Sequence, residues 1–94
     1  MREYELIFIV HPDLDETATN EVVERVKTWI TEAEGNVDKI DPWGKRKLAY
    51  PIRKQSEGQY FLFKAQMNPT FVAEMERNLR FLEPVIRFMI TVVD

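Results

Sequence analysis

The run Tyr60-Phe61-Leu62-Phe63-Lys64-Ala65-Gln66-Met67-Asn68-Pro69 carries the first decision about the fold. Its first eight residues are an aromatic stretch uninterrupted by glycine or proline, and they read as a strong strand. Asn68 then supplies a helix cap, and Pro69 suits the first helical position because its missing N–H is not needed there. Downstream, Phe71, Val72, Met75, Leu79 and Leu82 mark the apolar stripe of a helix that Glu83-Pro84 ends. Val85 to Val93 reads as a last strand. It has Ile86, Phe88, Ile90 and Val92 on one face and Arg87, Met89 and Thr91 on the other.

Upstream the same logic applies. Gln55-Ser56-Glu57-Gly58 reads as a turn, and Lys45 to Ile52 as an extended segment whose Pro51 is tolerated only at an edge or a strand end. Together with Tyr60–Met67 this makes a long hairpin. Asn36 to Trp43 is a weaker strand: Val37 and Ile40 do not share one parity, which a bulge reconciles, and Pro42-Trp43-Gly44 interrupts it. Ala18, Val22, Val26, Trp29 and Ala33 recur at helical spacing and predict a helix from about Asp15 to Glu34. Asp13 with Glu16 resembles a capping box, and Gly35 supplies a left-handed stop. At the start, Tyr4, Leu6, Phe8 and Val10 alternate with Glu3, Glu5, Ile7 and Ile9, a strand that His11-Pro12-Asp13 terminates.

The order is β-α-β-β-α-β, the ferredoxin-like α+β arrangement. Right-handed crossovers place both helices on one face of a four-stranded antiparallel sheet. The first and third strands lie in the centre and the second on an edge. The expected organisation is one ferredoxin-like domain over residues 1–94.

Composition narrows the function classes. The chain is 45% hydrophobic and 31% charged, so a packed core rather than disorder is expected. It has no cysteine, which rules out disulfides, thiolate metal sites and a cysteine nucleophile. No apolar run approaches the ~18 residues of a membrane span, and the strand-like start does not read as a signal peptide. A cytoplasmic protein is expected. The net charge of −3 disfavours a nucleic-acid binder, but its distribution does not. Residues 1–41 carry eleven acidic and four basic side chains, and residues 42–94 carry nine basic and five acidic. An interaction face on the second half is consistent with that asymmetry.

Two features point to such a face. Parity assigns Leu6, Phe8, Val10, Phe61, Phe63, Ala65, Phe88, Ile90 and Val92 to the helix-covered side. It leaves Ile7, Ile9, Tyr60, Leu62 and Met89, with Lys64 and Arg87, on a side that no element covers. An uncovered apolar face suits a protein partner, unless strand curvature and the long hairpin cover part of it. The second feature is cationic. Lys45, Arg46 and Lys47, then Arg53 and Lys54, flank Leu48-Ala49-Tyr50-Pro51-Ile52. Cations beside an aromatic suit phosphate contact with base stacking, and lysines on an edge strand also guard against aggregation. Arg80 lies on the second helix beside Arg77, and Arg87 on the last strand. Arg2 should lie beside that last strand, so Arg2 and Arg87 are expected to form one cationic site.

The segment Trp43-Gly44-Lys45-Arg46-Lys47-Leu48-Ala49-Tyr50-Pro51-Ile52 closely resembles the hallmark stretch of bacterial small-subunit ribosomal protein number six. Arg2-Glu3-Tyr4-Glu5, Gly58-Gln59-Tyr60-Phe61 and Val85-Ile86-Arg87-Phe88-Met89 resemble that family too, so the likeness covers essentially the whole chain. The resemblance implies a structural, non-enzymatic protein of the small ribosomal subunit. It implies binding to the central domain of small-subunit ribosomal RNA, together with small-subunit ribosomal protein number eighteen, a basic partner that shares the electrostatic work. The RNA-binding set expected from charge placement and this likeness is Arg2, Lys54, Arg80 and Arg87 first, with Lys45, Arg46, Lys47 and Arg53 as additions. Family members often carry a polar C-terminal tail; this chain stops at Asp94, which puts contacts by such a tail in doubt.

Other readings of the residues fit less well. The only histidine, His11, has no companion at metal-ligand spacing, so neither a metal nor a cofactor is expected. No glycine-rich anion loop supports an acylphosphatase-like enzyme, and no small-molecule substrate is expected. An RNA-recognition motif needs a basic-Gly-aromatic-small-aromatic run, whereas the third strand reads Gly58-Gln59-Tyr60-Phe61 after Glu57. The remaining alternative is a ferredoxin-like regulatory or dimerisation domain without an RNA function.

Overall fold

The computed structural model describes residues 1–93; Asp94, at which contacts by a C-terminal tail were in doubt, lies outside the described residues. The elements are β1 (Arg2–Val10), α1 (Glu16–Glu32), β2 (Asn36–Ile52), β3 (Gln55–Met67), α2 (Val72–Phe81) and β4 (Val85–Val93), with a 3₁₀ turn at Pro69–Phe71 leading into α2. The sheet is antiparallel with strand order β2-β3-β1-β4. The first and third strands are therefore central, and the ferredoxin-like arrangement holds.

Register builds the core. Leu6 lies opposite Phe63 and Phe8 opposite Phe61, so alternate residues of the two central strands face the helices together. Leu6, Phe8, Val10, Phe63 and Ala65 are fully buried there, against Val26 and Ile30 of α1 and Met75 and Leu79 of α2. Phe8 stacks on Phe61 at 5.4 Å between ring centroids and meets Phe63 edge-on at 5.3 Å. Each such side chain contributes about 1.5–3 kcal/mol by leaving water. Gln59 fastens the β1–α1 connection to β3: its Nε2 donates to the His11 carbonyl at 3.1 Å and the Leu14 carbonyl at 3.3 Å.

Local details depart from expectation in three places. First, the weak strand and the extended segment after it are one strand, β2, and Pro42-Trp43-Gly44 does not interrupt it. Register shifts at Val37/Lys39, Pro42/Gly44 and Lys47/Ile52 absorb the proline and the parity conflict. The hairpin turn is Arg53-Lys54, with φ of 50° and 65°, and Gln55–Gly58 belongs to β3. Two left-handed residues give the twist that a two-residue hairpin loop requires.

Second, α1 is capped by Asp15, not Asp13: Ala18 N donates to Asp15 Oδ1 at 2.8 Å, while the Asp13 amide donates to His11 Nδ1 at 3.1 Å. The left-handed residue after the helix is Glu34, with φ of 66°. Gly35 is required for closeness instead. A Cβ there would stand 2.6 Å from the Gln66 carbonyl oxygen.

Third, burial fades along β4, from Val85 at 2% exposed to Val92 at 43%, so Val92 is not helix-covered as expected. The ten residues of α2 span about 15 Å, roughly half of what a nine-residue strand spans. A register shift at Ile9/Val10 also sets Val85 opposite Val10. Val85 takes the core position, and Ile86 is buried outside the main cluster.

Candidate nucleic-acid and partner interface

On the sheet face away from the helices, Ile7 lies opposite both Leu62 and Met89, and Ile9 opposite both Tyr60 and Arg87. The five residues expected on a partner face, Ile7, Ile9, Tyr60, Leu62 and Met89, thus share it. Trp43 joins them, its ring stacked on Tyr60 at 6.3 Å and its indole N–H donating to Asp41 Oδ2 at 3.2 Å. The Arg46 guanidinium sits 5.2 Å from the Trp43 ring centroid. Ile7, Ile9, Trp43, Tyr60, Phe88 and Met89 line a groove of about 330 Å³, with Arg87 also in its wall. Met89 is 57% exposed and Ile9 only 6%. Ile9 packs into the space that a side chain at Gly58 would occupy.

One end of this face is covered. β1 ends at Val10, opposite Gln59, and the β2–β3 hairpin continues beyond it as an arm. The arm reaches β4. Arg87 Nη1 donates to the Tyr50 hydroxyl, with the guanidinium 5.7 Å from the Tyr50 ring centroid. Arg53 Nη1 donates to the Glu83 carbonyl at 3.2 Å. The face is therefore open in its middle and closed over by the hairpin at its cationic end.

The arm gathers the cations. Arg53 from the tip, Arg80 from the last turn of α2 and Arg87 from the start of β4 line one groove of about 250 Å³. Lys54 is next to Arg53 at the tip. Lys45, Arg46 and Lys47 lie farther down the arm, opposite Gln59, Gly58 and Glu57. Arg2 stands apart from them all. It pairs with Met67 at one end of β1, whereas Arg87 pairs with Ile9 near the other, seven residues and on the order of 24 Å away. The expected joint site of Arg2 and Arg87 does not form, because antiparallel pairing sets the beginning of β1 beside the end of β4, not beside its start.

Sequence reasoning missed Tyr50 and Trp43 as individual site residues. Tyr50 had a signal, an aromatic between the cationic run Lys45-Arg46-Lys47 and the pair Arg53-Lys54. Trp43 was hidden by Pro42 and Gly44, which read as a break. Among the described residues no group of three or more His, Cys, Asp or Glu side chains could hold a metal ion, and no helix is long and apolar enough to cross a membrane.

Comparison with known proteins shows the family and the fold. The family described as ribosomal protein S6 matches residues 3–92. The small ribosomal subunit protein bS6 of Clostridium novyi is 47% identical over 90 residues, covering 96% of this chain and 95% of that protein. Its counterpart in Moorella thermoacetica is 43% identical over 91 residues, covering 97% and 93%. The crystal structure of 30S ribosomal protein S6 from Thermotoga maritima superposes with a TM-score of 0.92 at 34% identity, covering 98% of this chain and 87% of that one. The chain therefore belongs to the ribosomal protein S6 family, structural proteins of the small ribosomal subunit rather than enzymes.

Proposed function

We propose that this protein works in the bacterial cytoplasm as a two-sided adaptor. It binds the central domain of small-subunit ribosomal RNA with its cationic hairpin end, and small-subunit ribosomal protein number eighteen with the open middle of its sheet. The observation that carries this reading is the adjacency of two unlike surfaces. An apolar groove of about 330 Å³ and a groove lined by three arginines share Arg87 and Phe88 in their walls. An apolar groove suits a polypeptide, and converging guanidinium groups suit phosphate. The net charge of −3 leaves this chain a weak polyanion binder by itself. A basic partner held on the same face would supply the missing attraction.

The test is binding to a central-domain RNA fragment with and without the purified partner. The pair should bind far more tightly than either protein alone. Each phosphate contact should add about 0.7–0.9 to the slope of log affinity against log salt. RNA binding that ignores the partner, or a tight self-association with no RNA affinity, would overturn the proposal.

A further inference from the structure

The groove at the hairpin tip has a property that charge placement alone does not explain. Two of its three arginines are fixed in direction, and both are fixed by neutral acceptors. Arg87 donates to the Tyr50 hydroxyl, and Arg53 donates to the backbone carbonyl of Glu83, not to its carboxylate. Among the described residues the Arg80 guanidinium makes no hydrogen bond or ion pair. No carboxylate lines the groove; the rest of its wall is Leu79, Val85, Ile86 and Phe88.

This arrangement has a chemical consequence. A carboxylate would orient a guanidinium equally well but would cancel its charge. A hydroxyl or a carbonyl orients it and leaves the charge whole. Each guanidinium has five N–H donors, so spending one on an anchor leaves the others to point elsewhere. The apolar wall offers no donor or acceptor with which to read a base edge. Three undiminished charges around such a wall fit an anion with several exposed oxygens, and such donors bind phosphate with paired hydrogen bonds.

We infer that this groove holds one phosphodiester group of the RNA backbone, gripped by Arg53, Arg80 and Arg87, and that Tyr50 is the residue that positions Arg87 for it. This rests on the RNA-binding reading above and adds a site and a positioning residue to it. The contact is made to backbone, so it sets the register of the protein on folded RNA and is indifferent to the base attached.

The experiment measures affinity and salt slope for a central-domain RNA fragment, in the presence of the partner protein, for the unsubstituted chain, Arg87→Ala, Tyr50→Phe and the double variant. Thermal unfolding of each confirms that it is folded. Arg87→Ala should lower the salt slope by about 0.7–0.9. Tyr50→Phe keeps the ring and removes only the acceptor. It should weaken binding about three- to tenfold, the worth of one hydrogen bond, with the slope unchanged. In the Arg87→Ala background Tyr50→Phe should have no further effect, a result that a general structural role for Tyr50 would not produce. An equal loss in both backgrounds, or no loss in either, overturns the positioning role. RNA binding that Arg87→Ala leaves unchanged in affinity and slope overturns the groove while the RNA reading stands. No RNA binding by the unsubstituted pair overturns both.

Discussion

Tyr50 on one edge strand is hydrogen-bonded to Arg87 on the opposite edge strand, although two strands, β3 and β1, separate them in the sheet. The contact exists because the β2–β3 hairpin outruns β1 and folds back over the end of the sheet. It brings cations from the hairpin tip, the end of α2 and the start of β4 into one surface, and it leaves the middle of the face open.

The hairpin tip carries a local cost. Arg53 and Lys54 both hold positive φ, where asparagine and glycine are the favoured residues. Lys54→Gly should therefore raise stability by about 1 kcal/mol while lowering RNA affinity through loss of a cation. Denaturant unfolding and RNA titration of the same sample read both signs. A fall in stability would show that Lys54 packs at the tip in a way the strain argument omits.

The separation of Arg2 from Arg87 predicts additivity. Sites farther apart than about 10 Å add to within about 0.3–0.5 kcal/mol. Arg2→Ala and Arg87→Ala should combine additively in RNA binding, whereas Arg53→Ala and Arg87→Ala, which share a groove, should not. Double-mutant cycles on binding free energy decide it, and strong coupling of Arg2 to Arg87 would contradict the placement.

The open face separates binding from stability. Met89 is 57% exposed, so Met89→Asp should change unfolding free energy by no more than about 0.5 kcal/mol and still impair capture of the partner protein. Ile9 is 6% exposed, so Ile9→Asp should unfold or severely destabilise the chain. Circular dichroism melts and co-purification of the partner distinguish the two variants.

Gly58 is set by packing rather than by φ. A side chain there would overlap Ile9, so Gly58→Ala should cost about 1–3 kcal/mol through overpacking. A urea midpoint unchanged by this substitution would mean that Ile9 has room to move.

At the start of α1, Asp15→Ala should cost about 0.5–2 kcal/mol, and Asp13→Ala much less, because only the Asp15 side chain accepts from the helix. Thermal melts of the two variants provide the comparison.

Much of this protein was legible in its residues one after another. Period-two runs such as Tyr4–Val10 and Tyr60–Met67, and the helical stripe of Val22, Val26 and Ile30, depend on local geometry alone. They determined the element order, and with it the sheet and its two faces. What the chain order could not determine was decided where separate segments meet. The bulges in β2 moved the turn to Arg53-Lys54, the short α2 left Val92 exposed, and the register of β1 with β4 kept Arg2 away from Arg87. The clasp of Tyr50 on Arg87 belongs to the same class. Its partners are thirty-seven residues apart, and only the curl of a hairpin over the sheet end brings them together.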